Sequence, residues 1–240
     1  MDLKGQTALV TGGAVRIGRA ICEALAAAGA HVIVQYRKSA TEANTLCTEL
    51  KRQGVQAWPL AADLTSEAAC HDLVRRAQIA AGRLDILINN AAVFHKDNLA
   101  ATTEGKLLAE FWPNLFAPLL LMRAFAWHST GGKIVNLLDR RIAGHDTTCV
   151  PYVLAKKALA ELTQLAALEL APRFTVNGVA PGAVLPPPGK TTDYLYDAAG
   201  PVPLQRQITP ANVAAAVLTL LQDDAMTGQI LYVDGGQHLL

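Results

Sequence analysis

The sequence predicts a single α/β domain built on a doubly wound parallel sheet of about seven strands, with helices on both faces. Three observations predict it. Apolar runs of strand length alternate with helix-like segments along the 240 residues. The runs are apolar throughout, as in strands covered on both faces. A glycine-bearing turn, Thr11-Gly12-Gly13-Ala14-Val15-Arg16-Ile17-Gly18, joins the first run to the first helix.

The elements follow in order. Thr7 to Val10 reads as a first strand, and Ile17 to Ala28 as a helix closed by Gly29. His31 to Tyr36 is a second strand, followed by a helix over about Thr41 to Gln53. Val55 to Ala61 and Ser66 to Ala81 are the next strand and helix. Leu84 to Asn89 is a fourth strand, and one long helical region runs from about Asn98 to Ser129. Lys133 to Leu138, Pro151 to Leu170 and Thr175 to Val179 continue the alternation. Pro210 opens a helix to Leu221, and Gln229 to Val233 is the last strand. Between the sixth strand and the Pro210 helix, Pro181 to about Gly200 carries no element signal; it follows a strand end, where a mobile cover over a site is expected.

Composition narrows the function. Apolar residues make up 51%, enough for a substantial core, and no linker, repeat or low-complexity segment divides residues 1–240. A net charge of +1 without any block of like charge argues against nucleic acid or a membrane surface as partner. Cys22, Cys47, Cys70 and Cys149 are far apart and show no zinc-ligand spacing, so the expectation is reduced thiols, no metal, and a cytoplasmic protein. No secretory signal or membrane-length apolar run is evident. Nothing marks Cys149 as a nucleophile, and the six histidines form no metal pattern, although His95 and His145 could edge a cleft.

The glycine turn carries the first chemistry. In a strand–turn–helix, Gly12 and Gly18 permit a tight turn and let backbone N–H groups reach a pyrophosphate, the signature of a Rossmann-type nucleotide site. About 20 residues on, an acid would accept the free ribose hydroxyl of NAD. This chain has Arg37-Lys38-Ser39 there, two cations and a hydroxyl that suit a 2′-phosphate and favour NADPH. Tyr152 and Lys156, four residues apart, share one helix face. A nearby ammonium favours phenolate, so the pair is expected to bring the phenol toward neutral pH as a general acid or base.

In these motifs the chain resembles the short-chain dehydrogenase/reductase family over essentially its whole length. The resemblance rests on Thr11-Gly12…Gly18, Asp63-Leu64, Asn89-Asn90-Ala91, Asn114, Tyr152…Lys156, Pro181-Gly182 and Asp234-Gly235-Gly236. It implies that Asp63 and Leu64 lie by the adenine, with Ile17 and Tyr36 also on the cofactor side. Asn90, Ala91 and Ala92 would line the cofactor cleft, and Pro181 and Gly182 would flank the nicotinamide. Lys156 would hold the nicotinamide ribose, Asn114 would support a proton-relay water, and the assembly would be a homotetramer.

Three departures point to one branch. Arg16 stands where most members have a second glycine, and can bridge the pyrophosphate and an electron-rich substrate edge. Asp139 stands thirteen residues before Tyr152, where a catalytic serine is usual. Phe94 lies just past the fourth strand, where it can supply one face of a stacking slot. Together with Tyr36-Arg37-Lys38-Ser39-Ala40-Thr41-Glu42-Ala43-Asn44, these are similar to the pteridine reductase branch, which includes bacterial dihydropterin reductases. Ala92 departs from that branch, whose better-known members carry serine there, and so does the loop with Pro186-Pro187-Pro188.

The expected activity is NADPH-dependent reduction of a pterin C=N bond. Tyr152 would donate the proton and Asp139 would orient the substrate and assist the relay. Val184 completes an expected substrate set of Arg16, Phe94, Asp139 and Tyr152. The alternatives are an NADPH-dependent carbonyl or 3-oxoacyl reductase of the same family, and a non-catalytic NADPH-sensing scaffold. An ionised carboxylate polarises a ketone poorly, which weighs against the first, and the presence of Tyr152 and Lys156 weighs against the second.

Overall fold

The computed structural model describes residues 2–186, 189–191, 193 and 200–240. The described strands are β1 (Thr7–Val10), β2 (His31–Tyr36), β3 (Ala57–Ala61), β4 (Ile86–Asn89), β5 (Gly132–Leu137), β6 (Phe174–Pro181) and β7 (Ile230–Val233). The helices are α1 (Arg16–Ala27), α2 (Ala40–Arg52), α3 (Glu67–Ala81), α4 (Glu104–Phe111), α5 (Ala117–His128), α6 (Val150–Leu170) and α7 (Pro210–Gln222). All strand pairings are parallel, in the order β3-β2-β1-β4-β5-β6-β7. The order reverses between β1 and β4, so a crevice opens beyond their carboxyl ends, where open α/β sheets bind ligands.

Strand alternation explains the unbroken apolar runs. Ala8, Val10, Val32, Val34, Ile86 and Ile88 face one core, shared with Ile21 and Leu25 of α1, Leu46 and Leu50 of α2, and Val213 and Val217 of α7. Their neighbours Leu9, Ile33 and Leu87 face the other, shared with Leu73 of α3, Leu121 and Phe125 of α5, and Ala166 of α6. Apart from the ends of β2, His31 and Tyr36, every side chain of these strands is thus buried on one face or the other, which removes the polar alternation of a one-sided sheet. Phe125 meets Phe174 edge-on at 5.4 Å across the second core.

The expected long helix over 98–129 is divided, and this is a correction. A short turn at Leu99–Ala101 comes first, capped by Asn98 Oδ1, which accepts from the Ala101 N–H at 2.9 Å. Thr103 then caps α4, and a π-helical turn at Trp112–Phe116 joins α4 to α5. Proline is the physical reason. Pro113 has no N–H for Ala109 and its ring crowds that carbonyl, so the backbone takes in an extra residue. The turn turns Asn114 inward, where it is fully buried. The third strand begins at Ala57 rather than Val55, after Gly54 at φ 92°. The sixth extends to Pro181 because β7 pairs along it as far as Val233.

Candidate active site

The ends of β1 and β4 are knitted by side chains. Thr11 Oγ1 accepts from the N–H groups of Asn90 (2.9 Å) and Ala91 (3.0 Å), and Asn90 Nδ2 donates to the carbonyls of Thr11 (2.8 Å) and Gly12 (3.1 Å). Gln35, buried in β2, accepts from the Gly12 N–H at 2.8 Å and donates to the Ala62 carbonyl at 2.8 Å. Helix α1 crosses so close that a Cβ on Gly18 would stand 2.1 Å from the Gly12 carbonyl oxygen. Glycine is therefore required at Gly18 for approach rather than for φ. A cleft of about 690 Å³ opens over this junction, with Gly12, Arg16, Ile17, Gly18, Arg37 and Asp63 along one side. Leu64, Asn90, Ala91 and Ala92 continue the lining, and Leu108, Trp112 and Pro113 form the opposite wall.

Three features suit the cleft to a dinucleotide. Val15 precedes α1 with no side-chain cap, and no acid lies in the first turn, so the free N–H groups there favour an anion. Arg37 is half-exposed and only loosely paired, 3.9 Å from Asp63 Oδ1, so its guanidinium is available. Arg16 adopts a left-handed backbone at φ 56°. That conformation costs a non-glycine residue roughly 1–2 kcal/mol, which the surrounding turn must offset. Its Nη2 donates to the carbonyls of Pro186 (3.0 Å) and Leu185 (3.3 Å), tying the start of the 181–200 loop to the glycine turn.

Beyond the segment Val93–Phe94 sits a second cluster. The Tyr152 hydroxyl donates to Asp139 Oδ2 at 2.9 Å. Arg141 donates to the same carboxylate from its backbone N–H (2.8 Å) and from Nη1 (3.2 Å), while its Nε donates to Asp146 at 2.8 Å. The Arg141 guanidinium lies 5.4 Å over the Phe94 ring, and Phe94 meets Tyr152 edge-on at 4.8 Å. Asp139, Arg141, Phe94 and Tyr152 thus close a ring of contacts. Burial opposes the Arg141 charge, but Asp139 and Asp146 outweigh it and raise its pKa. Asp146 is held well below the ordinary carboxylate range: burial works against this, and Thr148 and Arg141 overcome it.

The electrostatics correct the expectation for the tyrosine. Lys156 Nζ lies 6.0 Å from the Tyr152 ring centroid and donates to the Leu137 carbonyl at 2.7 Å, not to the hydroxyl. Burial first, and then Asp139, push the phenol well above its ordinary value. Tyr152 is a protonated donor across the neutral range rather than a near-neutral acid–base group. Burial lowers Lys156 from 10.5 to about 8, with Asp139 and Glu110 partly offsetting it. Between pH 8 and 10.5 the unfolded chain keeps a proton that the folded chain has lost, so this residue makes stability rise with pH there. Replacing Lys156 by Met should therefore raise stability at pH 7 by on the order of 2–3 kcal/mol. The gain should fade toward pH 10.5, and thermal melts of both proteins across pH 7–10.5 check it.

Asn114 projects from the π turn. Its Nδ2 donates to the Val93 carbonyl (3.0 Å) and to Glu110 Oε2 (2.8 Å), whereas its buried Oδ1 has no partner among the described residues. Glu110, 1% exposed, also accepts from the His95 N–H (2.8 Å) and lies 2.7 Å from His95 Nδ1.

Comparison with known proteins decides the family. Residues 13–238 match the family model described as enoyl-(acyl carrier protein) reductase. The chain belongs to the short-chain dehydrogenase/reductase family. It is 33% identical to pteridine reductase 1 of Leishmania tarentolae over 97% of this chain and 96% of that protein. It is 32% identical to glucose and ribitol dehydrogenase homolog 2 of Arabidopsis thaliana over 98% of this chain and 86% of that one. The crystal structure of FolM alternative dihydrofolate reductase 1 from Brucella canis, complexed with NADP, superposes with a TM-score of 0.94 at 31% identity. The match covers 100% of this chain and 96% of that one. Within the short-chain family these likenesses, with Asp139 and Arg16, support the pteridine reductase-like branch.

Several residues expected at a short-chain reductase site fall together and others do not. Gly12, Arg16, Ile17, Gly18, Arg37, Asp63, Leu64, Asn90, Ala91 and Ala92 line the cleft. Asp139, Tyr152, Lys156, Phe94 and Asn114 gather beside it, around the Tyr152–Asp139 hydrogen bond and the Val93–Phe94 segment. Gly182 is pressed against β7, where a Cβ would meet Asp234 Cα at 2.9 Å, and follows Pro181 at the end of β6. Tyr36 is half-buried against the first core, while Lys38 is exposed and Ser39 half-buried at the start of α2, all off the cleft lining. Val184 is 3% exposed and packs in the first core, so the structure does not put it on the cleft wall. Of the loop expected over 181–200, residues 187, 188, 192 and 194–199 lie outside the described residues. Cys149 is buried, which pushes its thiol up to about 11, and it stays inert. Among the described residues no group of three His, Cys, Asp or Glu could hold a metal, and no helix is long and apolar enough to cross a membrane.

Sequence reasoning missed Gln35, Arg141, Glu110 and the Trp112–Pro113 wall. Pro113 inside an apparent helix was the available signal for the wall. Nothing local marks Gln35, which matters because its side chain crosses from β2 to the Gly12 amide.

Proposed function

We propose that the chain is an NADPH-dependent reductase of a pterin C=N bond, acting on a dihydropterin or related pteridine. The observation that carries this reading is the Tyr152 hydroxyl donating to Asp139 Oδ2 at 2.9 Å, with that carboxylate clamped by Arg141. An ionised carboxylate accepts hydrogen bonds only, so it suits the N–H edge of a flat heterocycle and not a ketone oxygen. Bound NADPH supplies the hydride. The α1 N-terminus would take the pyrophosphate, Arg37 with Lys38 and Ser39 at the cleft rim would take the 2′-phosphate, and Asp63 and Leu64 would border the adenine. Lys156 would hold the nicotinamide ribose, with Pro181 and Gly182 beside the nicotinamide.

The proton steps belong to the chain. Asp139 takes N–H donors of the pterin and releases the Tyr152 hydroxyl. The ring nitrogen that receives the C=N electron pair is a strong base and takes the Tyr152 proton, even though this phenol is harder to ionise than usual. Phe94 and Arg16 border the substrate. Exposed Trp127, Leu165 and Leu168 on α5 and α6 suit burial in a homotetramer. Asp139→Ser tests the reading: pterin turnover should fall by about 10²-fold while ketone reduction rises. Unchanged pterin turnover in that variant would remove the carboxylate from the mechanism.

A further inference from the structure

We propose that Glu110 and His95 form the route by which protons pass between solvent and the Lys156 side of the site. The proposal rests on reading Tyr152 and Lys156 as the proton-moving pair. Every reductive turnover takes one proton from Tyr152 into product, and a new one must reach a phenol that is buried together with its lysine. The described geometry provides a chain of exchangeable groups. His95 is largely exposed on its side chain, at 62%, so its Nε2 can take a proton from solvent. Its Nδ1 stands 2.7 Å from Glu110 Oε1, so the Nδ1 proton can move to the carboxylate as Nε2 is protonated, leaving the imidazole neutral again. Glu110 is buried and carries the proton inward; its other oxygen meets Asn114.

Asn114 supplies the inner station. Its amide nitrogen is used twice, by Val93 and by Glu110, while its buried Oδ1 is unpartnered. A buried acceptor without a partner is a place for a water. Such a water can pass the proton from Glu110 toward Lys156, whose ionisation responds to Glu110. The charges of Glu110 and Asp139 both raise the Lys156 pKa against the effect of its burial. Lys106, on the same helix as Glu110, is engaged by Asp97 and does not compete.

A purely structural role for Glu110, pinning the His95 backbone at 2.8 Å, predicts a different response to small bases. The test is steady-state turnover of wild type, Glu110→Gln and His95→Phe in dilute, poorly basic buffer, with and without imidazole. His95→Phe should lower kcat by about 10-fold or more while leaving the KM for NADPH unchanged, and imidazole should restore it. Glu110→Gln should slow turnover without rescue, with an unchanged circular dichroism spectrum. Wild-type rate in His95→Phe, or a loss that imidazole does not restore, would overturn the route. Wild-type turnover of ketones but not pterins would sink the pterin reading and leave this test intact, because the route serves any acceptor that Tyr152 protonates.

Discussion

Tyr152→Phe should lower kcat/KM by about 10³-fold or more with NADPH affinity little changed. The ring should stay in place, because its edge-on packing with Phe94, at 4.8 Å between centroids, is kept by phenylalanine. Only the hydroxyl is lost, and with it the donor to Asp139. Asp139 keeps Arg141 as a partner, so the carboxylate is not left bare and the local fold should survive. The expected signature is thus a kcat effect, read by steady-state kinetics beside NADPH titration monitored by fluorescence. Full turnover in the variant would mean that another group donates the proton.

Charge reversal at the 2′-phosphate end should produce the second large effect. In Arg37→Asp/Lys38→Asp, NADPH affinity should fall by about 10²-fold or more relative to NADH. Two charge-assisted contacts become two repulsive ones, and each is worth roughly 1.5–3 kcal/mol. Arg37 is free enough for the role, since its nearest acid, Asp63, is 3.9 Å away and half-exposed. Equal losses for both cofactors, measured by isothermal titration, would show that this loop does not read the ribose.

Much of this was legible in the sequence because parallel strands covered on both faces leave a plain pattern. β1, β2, β4 and β5 were visible as apolar runs, since each buries both of its side-chain sets. The break at Pro113 was less visible, because the π turn keeps the chain helical from α4 into α5. Within the site, spacing placed Tyr152 and Lys156 on one face of α6, but spacing carries no information on burial. Burial set the outcome, raising the phenol and lowering the amine, opposite to the expected effect on Tyr152. Arg141 and Glu110 were hidden for another reason. Arg141 lies over Phe94 and Glu110 meets His95, both from the segment after β4, and no local period connects those pairs.

The central claim is that Asp139, clamped by Arg141 and joined to Tyr152, selects a ring C=N over a carbonyl. The most direct measurement is NADPH oxidation by the purified protein with dihydrobiopterin and dihydrofolate beside a panel of ketones and 3-oxoacyl thioesters. For at least one dihydropterin, kcat/KM should exceed that for any carbonyl substrate by about 10²-fold or more. A carbonyl compound turned over faster than every pterin would contradict it.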